Sequence, residues 1–447
     1  MNLDEMKELA ADTVEKARSL GADTAEVSLS DSREIEVSAR KNRLETLTDS
    51  SSSGILITVS VDRRRTTVTS NELEPESIRA LLSEALEICR FMSEDEFFGL
   101  PEAGELGYAA ADLDIHDEAV AGMQADGMIR SALELERTAC ALDGRIIIDF
   151  AAVSNGAYRE ALANSIGFCE AFERTVCSIG LSCAVEDESP GGGNSGKKQS
   201  SYWISKATSL KSLESIEQVA RAAVERTIRK LGAVKPKTCE APVVFDPVTA
   251  RGFLKHIAKA VNGGEIYRKS SFLVDMKGER IGSDLVNIYD DPLLPGRLGT
   301  RPFDLEGVRS RSTTVAEKGV LASYLMNSYQ ARKLGGRTTG NSGGSTNFYL
   351  APGSSTPGSL VESIDEGLYL TTLIGPGANT ATGDFSQGGQ GIWISKGRLS
   401  HPVNEFTVAG TFQKILSGIT MVADDIDWNK KVASPSFKVA RMTISGT

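Results

Sequence analysis

One short segment, DPVTARGFLKHIAKAVNGGE, spans residues 246–265 and carries His256, one of only three histidines in the chain. A catalytic zinc ion is bound by about three protein ligands and keeps an open position for water. No acidic residue lies beside His256, and no second histidine follows it within the helix. Asp246 is a favourable N-cap, and Pro247 suits the first helical position. The segment therefore predicts a helix that is complete as a packing element and requires no metal ion.

The spacing of apolar and polar residues assigns the two faces of this helix. The apolar stripe recurs at three- and four-residue intervals and consists of Ala250, Leu254, Ile257 and Val261. The opposite face is polar and consists of Arg251, Lys255, Lys259 and Asn262. His256 is expected at the edge of the polar face. The pair Gly263 and Gly264 is expected to end the helix.

Two glycine-rich segments raise the question of a ligand site. GGGNSGKK at 191–198 nearly matches a phosphate-binding loop, but Lys198 stands where that loop needs Ser or Thr for magnesium. A strand-like segment follows it instead of a helix, so we interpret it as a hairpin loop. GPGANTATGDFSQGGQG at 375–391 is either a series of turns or a backbone surface that a substrate or partner strand approaches closely. Composition alone favours the turns.

The other residues with ligating or catalytic side chains form no recognisable set. His116 is expected to be solvated at a helix start, His401 is expected in a surface loop, and no two histidines have ligand spacing. The six cysteines form no Cys-x-x-Cys pair, and none follows Cys239. This pattern favours reduced, mostly buried thiols in a cytosolic protein.

The elements that must position these residues divide the chain into three sections, because 447 residues exceed what one core holds. Residues 1–112 combine amphipathic helices with the short alternating segments of an antiparallel meander. Residues 113–235 repeat that mixture, including one helix at about 117–142. Residues 240–447 are rich in Gly, Ser and Thr and carry many short strand patterns. The predicted fold class is α+β, with mixed helix and antiparallel-sheet N-terminal and central domains followed by a β-rich C-terminal domain.

Charge and hydropathy exclude two classes of partner. The net charge of −11 argues against non-specific binding of nucleic acid, which requires an excess of Lys and Arg. No run approaches the roughly 18 apolar residues of a membrane span. We therefore expect neither nucleic acid nor a membrane as a partner, and we expect a cytoplasmic protein.

Several long runs resemble the TldD/PmbA (TldE) family of bacterial and archaeal metallopeptidases. In the last third, the resemblance is carried by LMNSYQARKLGGRTTGN, by GGEIYRKSSFLVDMKGERIGSDLVNIYDDP and by the run from EGLYLTTLIGPGANTATGDFSQGGQG to FTVAGTFQKIL. In the first third, it is carried by VSARKNRLETLTDSSSSGILITV and RTTVTSNELEPESIRALLSEAL. The block TGDFSQG at 382–388 is the most specific part and indicates the PmbA (TldE) branch.

The resemblance implies that the metal motif of this chain is degenerate. In the TldD branch, a helix carries zinc on the motif HExxxH, and a later cysteine is a further ligand. Carried over residue by residue, the first histidine falls at His256, Ile257 takes the place of the glutamate, and Val261 takes the place of the second histidine. No cysteine is available after Cys239. We therefore expect no catalytic, cofactor-binding or metal-binding residues in this chain.

The resemblance also implies a partner. A PmbA-like chain is expected to pair with a TldD-like zinc peptidase subunit, so that zinc is expected in the partner and peptides or unfolded segments are processed or degraded. The candidate surface for the partner or peptide consists of Gly375, Gly377, Asn379, Thr382, Gly383, Asp384, Phe385, Ser386 and Gly388. Two alternatives stay open: a stand-alone hydrolase that uses other residues, and a homo-oligomeric binding module, with a homodimer if the partner is absent.

Overall fold

A computed structural model describes residues 1–188 and 197–446. The helices of the first two sections are α1 (Leu3–Ser19), α2 (Pro75–Cys89), α3 (Glu118–Ala121), α4 (Ala125–Leu142) and α5 (Ile216–Ile228). Their strands are β1 (Thr24–Arg40), β2 (Arg43–Val61), β3 (Arg64–Ser70), β4 (Ile147–Asn164), β5 (Cys169–Glu186) and β6 (Lys198–Ala207). All six strands form one antiparallel sheet in the order β3-β2-β1-β4-β5-β6. The sections predicted at 1–112 and 113–235 therefore contribute three strands each to a shared sheet.

Strand β1 is longer than its sequence pattern suggests. The segments AEVSLS and EIEVSA read as separate strands, but both belong to one strand of 17 residues. The polar residues between them keep the two-residue alternation, and no Gly or Pro interrupts it. The buried side chains Val27 and Leu29 pack with α1 and α2, and the buried side chains Ile35 and Val37 pack with α4 and α5. One strand thus spans two hydrophobic cores.

The helix predicted at about 117–142 is interrupted. Helix α3 ends at Ala121, and α4 begins only at Ala125, after Gln124 in an extended conformation. Gly122 follows α3, and glycine is among the weakest helix formers because its backbone loses the most freedom on ordering. The prediction of a single helix was wrong for this reason.

The third section is β-rich, as predicted. Its helices are α6 (Pro247–Ala260), α7 (Gly263–Tyr267), α8 (Ser328–Lys333), α9 (Pro357–Glu362) and α10 (Phe412–Ser417). Its strands are β7 (Cys239–Phe245), β8 (Ile288–Asp290), β9 (Thr313–Glu317), β10 (Val320–Leu321), β11 (Phe348–Leu350), β12 (Glu366–Ile374), β13 (Ala378–Asn379), β14 (Asp384–Ser395), β15 (Arg398–Thr411), β16 (Ile419–Val422), β17 (Val432–Ala433) and β18 (Phe437–Ser445). The α+β fold class is confirmed.

Five strands of the third section close into a ring. Strand β12 pairs with β7, the pairing continues through β18, β15 and β14, and β14 pairs back with β12. A second sheet has the order β10-β9-β8-β11-β17. Helix α6 packs against strands of both sheets, and its apolar stripe belongs to the largest hydrophobic core. The helix that carries His256 is therefore held by extensive packing.

The structure also bears on the phosphate-loop-like segment, the cysteines and the absence of a predicted membrane span. Most of the phosphate-loop-like segment, residues 191–196, lies outside the described residues, but Lys198 begins strand β6 rather than a helix. All six cysteines are free, and Cys89, Cys177 and Cys183 are buried. Within residues 1–188 and 197–446, no helix has the length and apolar character needed to cross a bilayer.

Candidate functional site

The N-terminal end of α6 is fixed by a buried carboxylate. Asp246 is 1% exposed, and its Oδ1 accepts a hydrogen bond of 2.9 Å from the Thr249 backbone N–H, as the predicted N-cap does. Its Oδ2 accepts a bond of 3.1 Å from the Arg226 guanidinium on α5. A buried charge is costly unless it is paired and hydrogen-bonded, and both conditions are met here. Asp246 therefore joins α6 to the central section.

Arg226 extends this junction to two strands. Its Nη2 donates to the Thr371 carbonyl oxygen on β12 at 3.0 Å. Its guanidinium lies 5.5 Å from the ring centroid of Trp203 on β6, which is cation–π geometry. One side chain thus contacts an α6 cap, the ring of strands and the edge of the six-stranded sheet. These contacts set the position of α6 relative to the central section.

A groove opens beside this junction. Two adjoining cavities, of about 440 Å³ and about 700 Å³, share Trp203, Arg226 and Asp427 in their walls. Arg251 of α6 donates to Asp427 at 2.7 Å across the groove. The walls come from β6, α5, α6, β12 and the segment at 425–430. Arg251 and Lys198 stood out in the sequence for other reasons, but the sequence did not predict the groove, because its residues are far apart in the chain and form no motif.

The opposite end of α6 has a different environment. The His256 ring is half-buried and lies 5.8 Å from the Phe412 ring, centroid to centroid. Burial is the largest cause that lowers the pKa of His256, and the charges of Lys255 and Lys259 lower it further. This environment favours the neutral imidazole.

The apolar stripe of α6 is confirmed. Ile257 and Val261 are both 0% exposed and pack in the largest core with Ala250 and Leu254. At these two positions the TldD-type motif places a glutamate and a histidine. A carboxylate or imidazole there would be enclosed by apolar side chains rather than directed toward His256.

The predicted role of Gly263 and Gly264 in ending α6 was wrong. The helix ends at Ala260, and Asn262 caps the next helix by accepting from the Gly264 N–H at 2.9 Å. Both glycines lie in the first turn of α7, and neither has a positive φ. A Cβ on Gly263 would lie 2.7 Å from Met326 Cγ, so close packing explains that glycine.

The residues around His256 do not fit a zinc ion. A catalytic zinc takes about three protein ligands, and each ligating imidazole is normally oriented by an acceptor on its other nitrogen. In the described part of the chain, no group of three or more His, Cys, Asp or Glu side chains could hold a metal ion. The charged neighbours that act on His256 are two lysines, which repel a cation. We derive no metal chemistry at this position.

The glycine-rich segment begins after β12, includes β13 and continues into β14, and it contains several tight turns. Gly375 and Gly383 have φ of +84° and +85°, which favours glycine. A Cβ on Gly377 would overlap the Ser386 carbonyl oxygen. At these three positions, the interpretation as turns and close backbone contacts is supported.

Not every residue of the candidate surface reaches solvent. Six of the nine are exposed, namely Gly375, Gly377, Asn379, Thr382, Asp384 and Ser386. Gly388 is half-buried, and Gly383 is buried. The Phe385 side chain is 1% exposed because its ring packs against Phe253 and Phe412, so its assignment to a surface was wrong.

One aromatic cluster brings the degenerate motif and the glycine-rich segment together. The Phe412 ring contacts His256 on one side and Phe385 on another, 5.7 Å away. Its backbone N–H donates to the Gly383 carbonyl oxygen at 2.9 Å. Phe272 stacks on it at 5.3 Å between centroids. Two regions that the sequence singled out separately are thus neighbours through Phe412.

The remaining histidines differ from their predicted settings. His116 is only 25% exposed in its side chain, and its Nε2 lies 3.4 Å from Glu118 Oε1 and 3.8 Å from Glu173 Oε1. It is therefore partly enclosed by carboxylates rather than fully solvated. His401 is exposed, as expected, but it lies on strand β15 and not in a loop.

The letters GNSGG at 340–344 match the Gly-x-Ser-x-Gly motif of nucleophilic serines. That motif places the serine between a strand and a helix. Ser342 lies instead in a loop that leads into β11, and its backbone N–H donates to Asp304 at 2.8 Å. Ser342 therefore does not have the position of a nucleophilic serine in that motif.

Profiles of three domains from one family match the chain in order. PmbA/TldA metallopeptidase domain 1 matches residues 25–89, the central domain matches residues 118–231, and the C-terminal domain matches residues 238–446. Together they span most of the described structure.

Relatives with similar lengths support the same assignment. The chain is 32% identical over 445 residues to the metalloprotease PmbA homolog of Haemophilus influenzae, which covers 99% of this chain and 96% of that protein. It is also 32% identical over 440 residues to the metalloprotease PmbA of Escherichia coli O157:H7, covering 98% and 96%. A metalloprotease TldD homolog of Buchnera aphidicola is 24% identical over 338 residues, covering 68% and 69%. The fold and these relatives define a PmbA/TldD-type protein, and the chain belongs to this family.

Solved structures share the whole architecture. A protein of Bacteroides thetaiotaomicron described as a putative modulator of DNA gyrase has a TM-score of 0.93 at 26% identity, covering 100% of both chains. TldE from Thermococcus kodakarensis has a TM-score of 0.86 at 20% identity, covering 98% of this chain and 100% of that one. The second likeness concerns the fold alone.

Proposed function

We propose that this chain is a non-catalytic, TldE/PmbA-like subunit that pairs with a TldD-like zinc peptidase to process or degrade peptides and unfolded segments. The observation that carries the proposal is the burial of Ile257 and Val261, each 0% exposed, at the two positions where the motif requires polar groups. His256 stands alone beside Lys255 and Lys259. Zinc and the general base then belong to the partner subunit.

The exposed part of the glycine-rich segment is the proposed contact with that partner or with its peptide. Asn379, Thr382, Asp384 and Ser386 are exposed there, next to the cluster around Phe412 that also holds the α6 helix. At the exposed Gly375, the space that a Cβ would fill is open, so another backbone can approach closely there. This position would bring a partner within reach of the degenerate motif.

The direct test compares the chain alone with the chain purified together with a TldD-like partner. Zinc is measured by elemental analysis of both samples, and cleavage is measured on an unstructured peptide. We expect no stoichiometric zinc and no cleavage for the chain alone, and both for the pair. Near one zinc per isolated chain, lost in His256→Ala, would overturn the proposal. Cleavage by the isolated chain without zinc would favour a stand-alone hydrolase.

A second test probes the contact surface. Ser386→Arg places a long side chain on the exposed face of β14, and we expect it to weaken co-purification with the partner while the melting curve stays unchanged. Ser83→Arg on the exposed face of α2 is the matched control. Gly383→Val is unsuitable, because φ is +85° there and a Cβ would lie 3.2 Å from Phe272 Cβ. Normal pairing of Ser386→Arg would remove this surface from the proposal.

A further inference from the structure

Strand β6 is one edge of the six-stranded sheet, and that edge faces the groove. Near its start, the Ser200 carbonyl oxygen accepts a hydrogen bond of 2.7 Å from Lys230 Nζ. Near its end, the Lys206 backbone N–H donates to Asn429 Oδ1 at 3.1 Å. Both backbone groups point away from β5, and both are satisfied by side chains of this chain.

Between these two capped positions the edge is open. In an antiparallel strand, alternate residues direct both backbone groups to the same side. Tyr202 and Ile204 therefore present their N–H and C=O groups to the groove, like Ser200 and Lys206. Among the described residues, these backbone groups have no other partner on that side. An unpaired edge of this kind is a template for an added strand.

The carboxylates that line the groove are already occupied. Asp427 accepts from Arg251 at 2.7 Å. Glu214 accepts from the indole N–H of Trp203 at 2.6 Å. Asp425 accepts from the backbone and hydroxyl of one serine, at 2.8 Å and 2.7 Å. Of the three, only Asp427 is paired with a cation among the residues that the structure describes, whereas Glu214 and Asp425 are bonded to neutral donors and keep their negative charge.

Several cations of the groove, in contrast, lack a carboxylate partner. Lys206, Arg297 and Lys430 line its walls, and within the described residues none of them is within ion-pair distance of an acid. Burial lowers the pKa of Lys430, and the charges of Lys206 and Arg251 lower it further. In all, seven Lys and Arg side chains and three Asp and Glu side chains line the two cavities, so the groove is locally positive although the whole chain carries −11. The groove is thus complementary to an anionic ligand.

We infer that this groove binds an extended peptide segment with acidic side chains, which adds a strand to β6. The backbone of the peptide pairs with Tyr202 and Ile204, and its carboxylates meet Lys206 and Lys430. Main-chain bonds supply affinity in such strand addition, and side-chain charge supplies specificity. The inference takes its ligand class from the proposed function, and it adds where this chain would hold a peptide and which peptides it would prefer.

The test uses the intrinsic fluorescence of the isolated full chain, because Trp203 and Trp428 line the groove. The ligand is a terminally blocked heptapeptide of alternating Val and Glu, and its matched control alternates Val and Lys. We expect saturable binding of the acidic peptide, weakened by salt, and no saturable change with the basic one. Equal binding of both peptides, or none of the acidic one, would overturn the inference.

Two variants separate charge from strand pairing. Lys206→Glu combined with Lys430→Glu should weaken binding about tenfold or more, which corresponds to roughly 1.4 kcal/mol. The exposed pair Lys41→Glu with Lys277→Glu is the matched control and should bind as the parent does. Ile204→Pro removes the groove-facing N–H and leaves the bonding residues on the β5 side unchanged, so it should abolish binding with an unchanged melting curve, whereas Ile204→Val should retain binding.

A peptide N-methylated at alternate residues gives the same readout without any change to the protein. Loss of its binding supports strand addition, and unchanged binding contradicts it. All these measurements use the chain without its partner. A negative result here leaves the zinc and pairing tests of the proposed function unaffected, and the reverse is also true.

Discussion

The two ends of helix α6 belong to one element but have opposite chemistry. At its N-terminal end, Asp246 and Arg251 each bond to a charged group from another segment, at 3.1 Å and 2.7 Å. At its C-terminal end, where the metal motif would lie, His256 contacts an aromatic ring, and burial lowers its pKa, with a further contribution from two lysines. In this chain, the polar connections of the helix lie toward the groove and away from the degenerate motif.

The two ends of α6 also contribute to the fold in different ways. The N-terminal end joins three parts of the structure through Arg226, whereas the C-terminal end contributes mainly apolar packing through Ile257 and Val261. A polar group is therefore tolerated on α6 only where it finds a partner or solvent. Substitutions along α6 test that rule.

Ile257→Asp should have the largest effect. The side chain is 0% exposed in the main core, and an unpaired carboxylate there either costs several kcal/mol or takes up a proton. We expect a loss of more than about 4 kcal/mol in the free energy of unfolding, or failure to fold. Lys255→Asp, on the exposed face of the same helix, should change it by less than about 1 kcal/mol. Similar losses in the two variants would mean that the helix faces are misassigned.

Asp246→Ala should be the next most damaging change. It removes the N-cap, which contributes about 1 kcal/mol, and it leaves Arg226 without its buried partner, which costs about 3 kcal/mol or more. Asp246→Asn keeps the capping oxygen but puts an N–H donor where Oδ2 accepts from Arg226, so it loses the ion pair and keeps the cap, and its loss should be smaller than that of Asp246→Ala. Chemical denaturation of both variants, with Arg226→Met in a double-mutant cycle, measures the coupling. Additive losses would contradict the role of this pair in joining α5 to α6.

Arg251→Ala should have an intermediate effect. Its pair with Asp427 is partly buried, with side chains 18% and 11% exposed, so solvent screens it less than a surface pair. We expect a loss of about 1–2 kcal/mol in the free energy of unfolding, because Asp427 is left unpaired. Arg268→Ala, whose pair with Glu265 is more exposed, is the control and should cost well under 1 kcal/mol. A loss no larger than that of the control would place Arg251 with ordinary surface charges.

The properties of α6 that the sequence predicted correctly are local ones. An aspartate before a proline at the start of an apolar period specifies a cap and a helix face within a few residues, and both are confirmed at Asp246 and Ile257. The properties that were predicted wrongly depend on contacts with distant parts of the chain. Gly263 is small because Met326 packs against it, and Phe385 is buried because α6 and α10 cover it.

Long-range strand pairing is the other property that the sequence did not predict. Nothing in the local pattern indicates that β1 pairs with β4, more than one hundred residues away, and so joins the first two sections in one sheet. The groove depends on the same long-range order, since β6, α5, α6 and β12 meet only in the folded chain. Its charged residues each read as ordinary surface residues in the sequence. The proposed degenerate motif, by contrast, could be predicted from the sequence because its three positions lie within one short segment.

His256→Gln should have the smallest effect on the free energy of unfolding, and the effect should depend on pH. Because the folded-state pKa of His256 lies below the ordinary value of about 6.5, the unfolded chain binds more protons than the folded chain between these two values. The contribution of His256 to stability is therefore fully present above about pH 6.5 and is lost as the pH falls through the lowered pKa.

His256→Gln should be nearly as stable as the parent at pH 7.5 and should lose less stability than the parent at pH 5. His401→Gln, exposed on β15, is the matched control for replacing a histidine by glutamine. Zinc content should not differ between His256→Gln and the parent. An unchanged pH profile in His256→Gln would mean that the ring is as well solvated as in an unfolded chain, and the contrast between the two ends of α6 would then rest on Ile257 and Val261 alone.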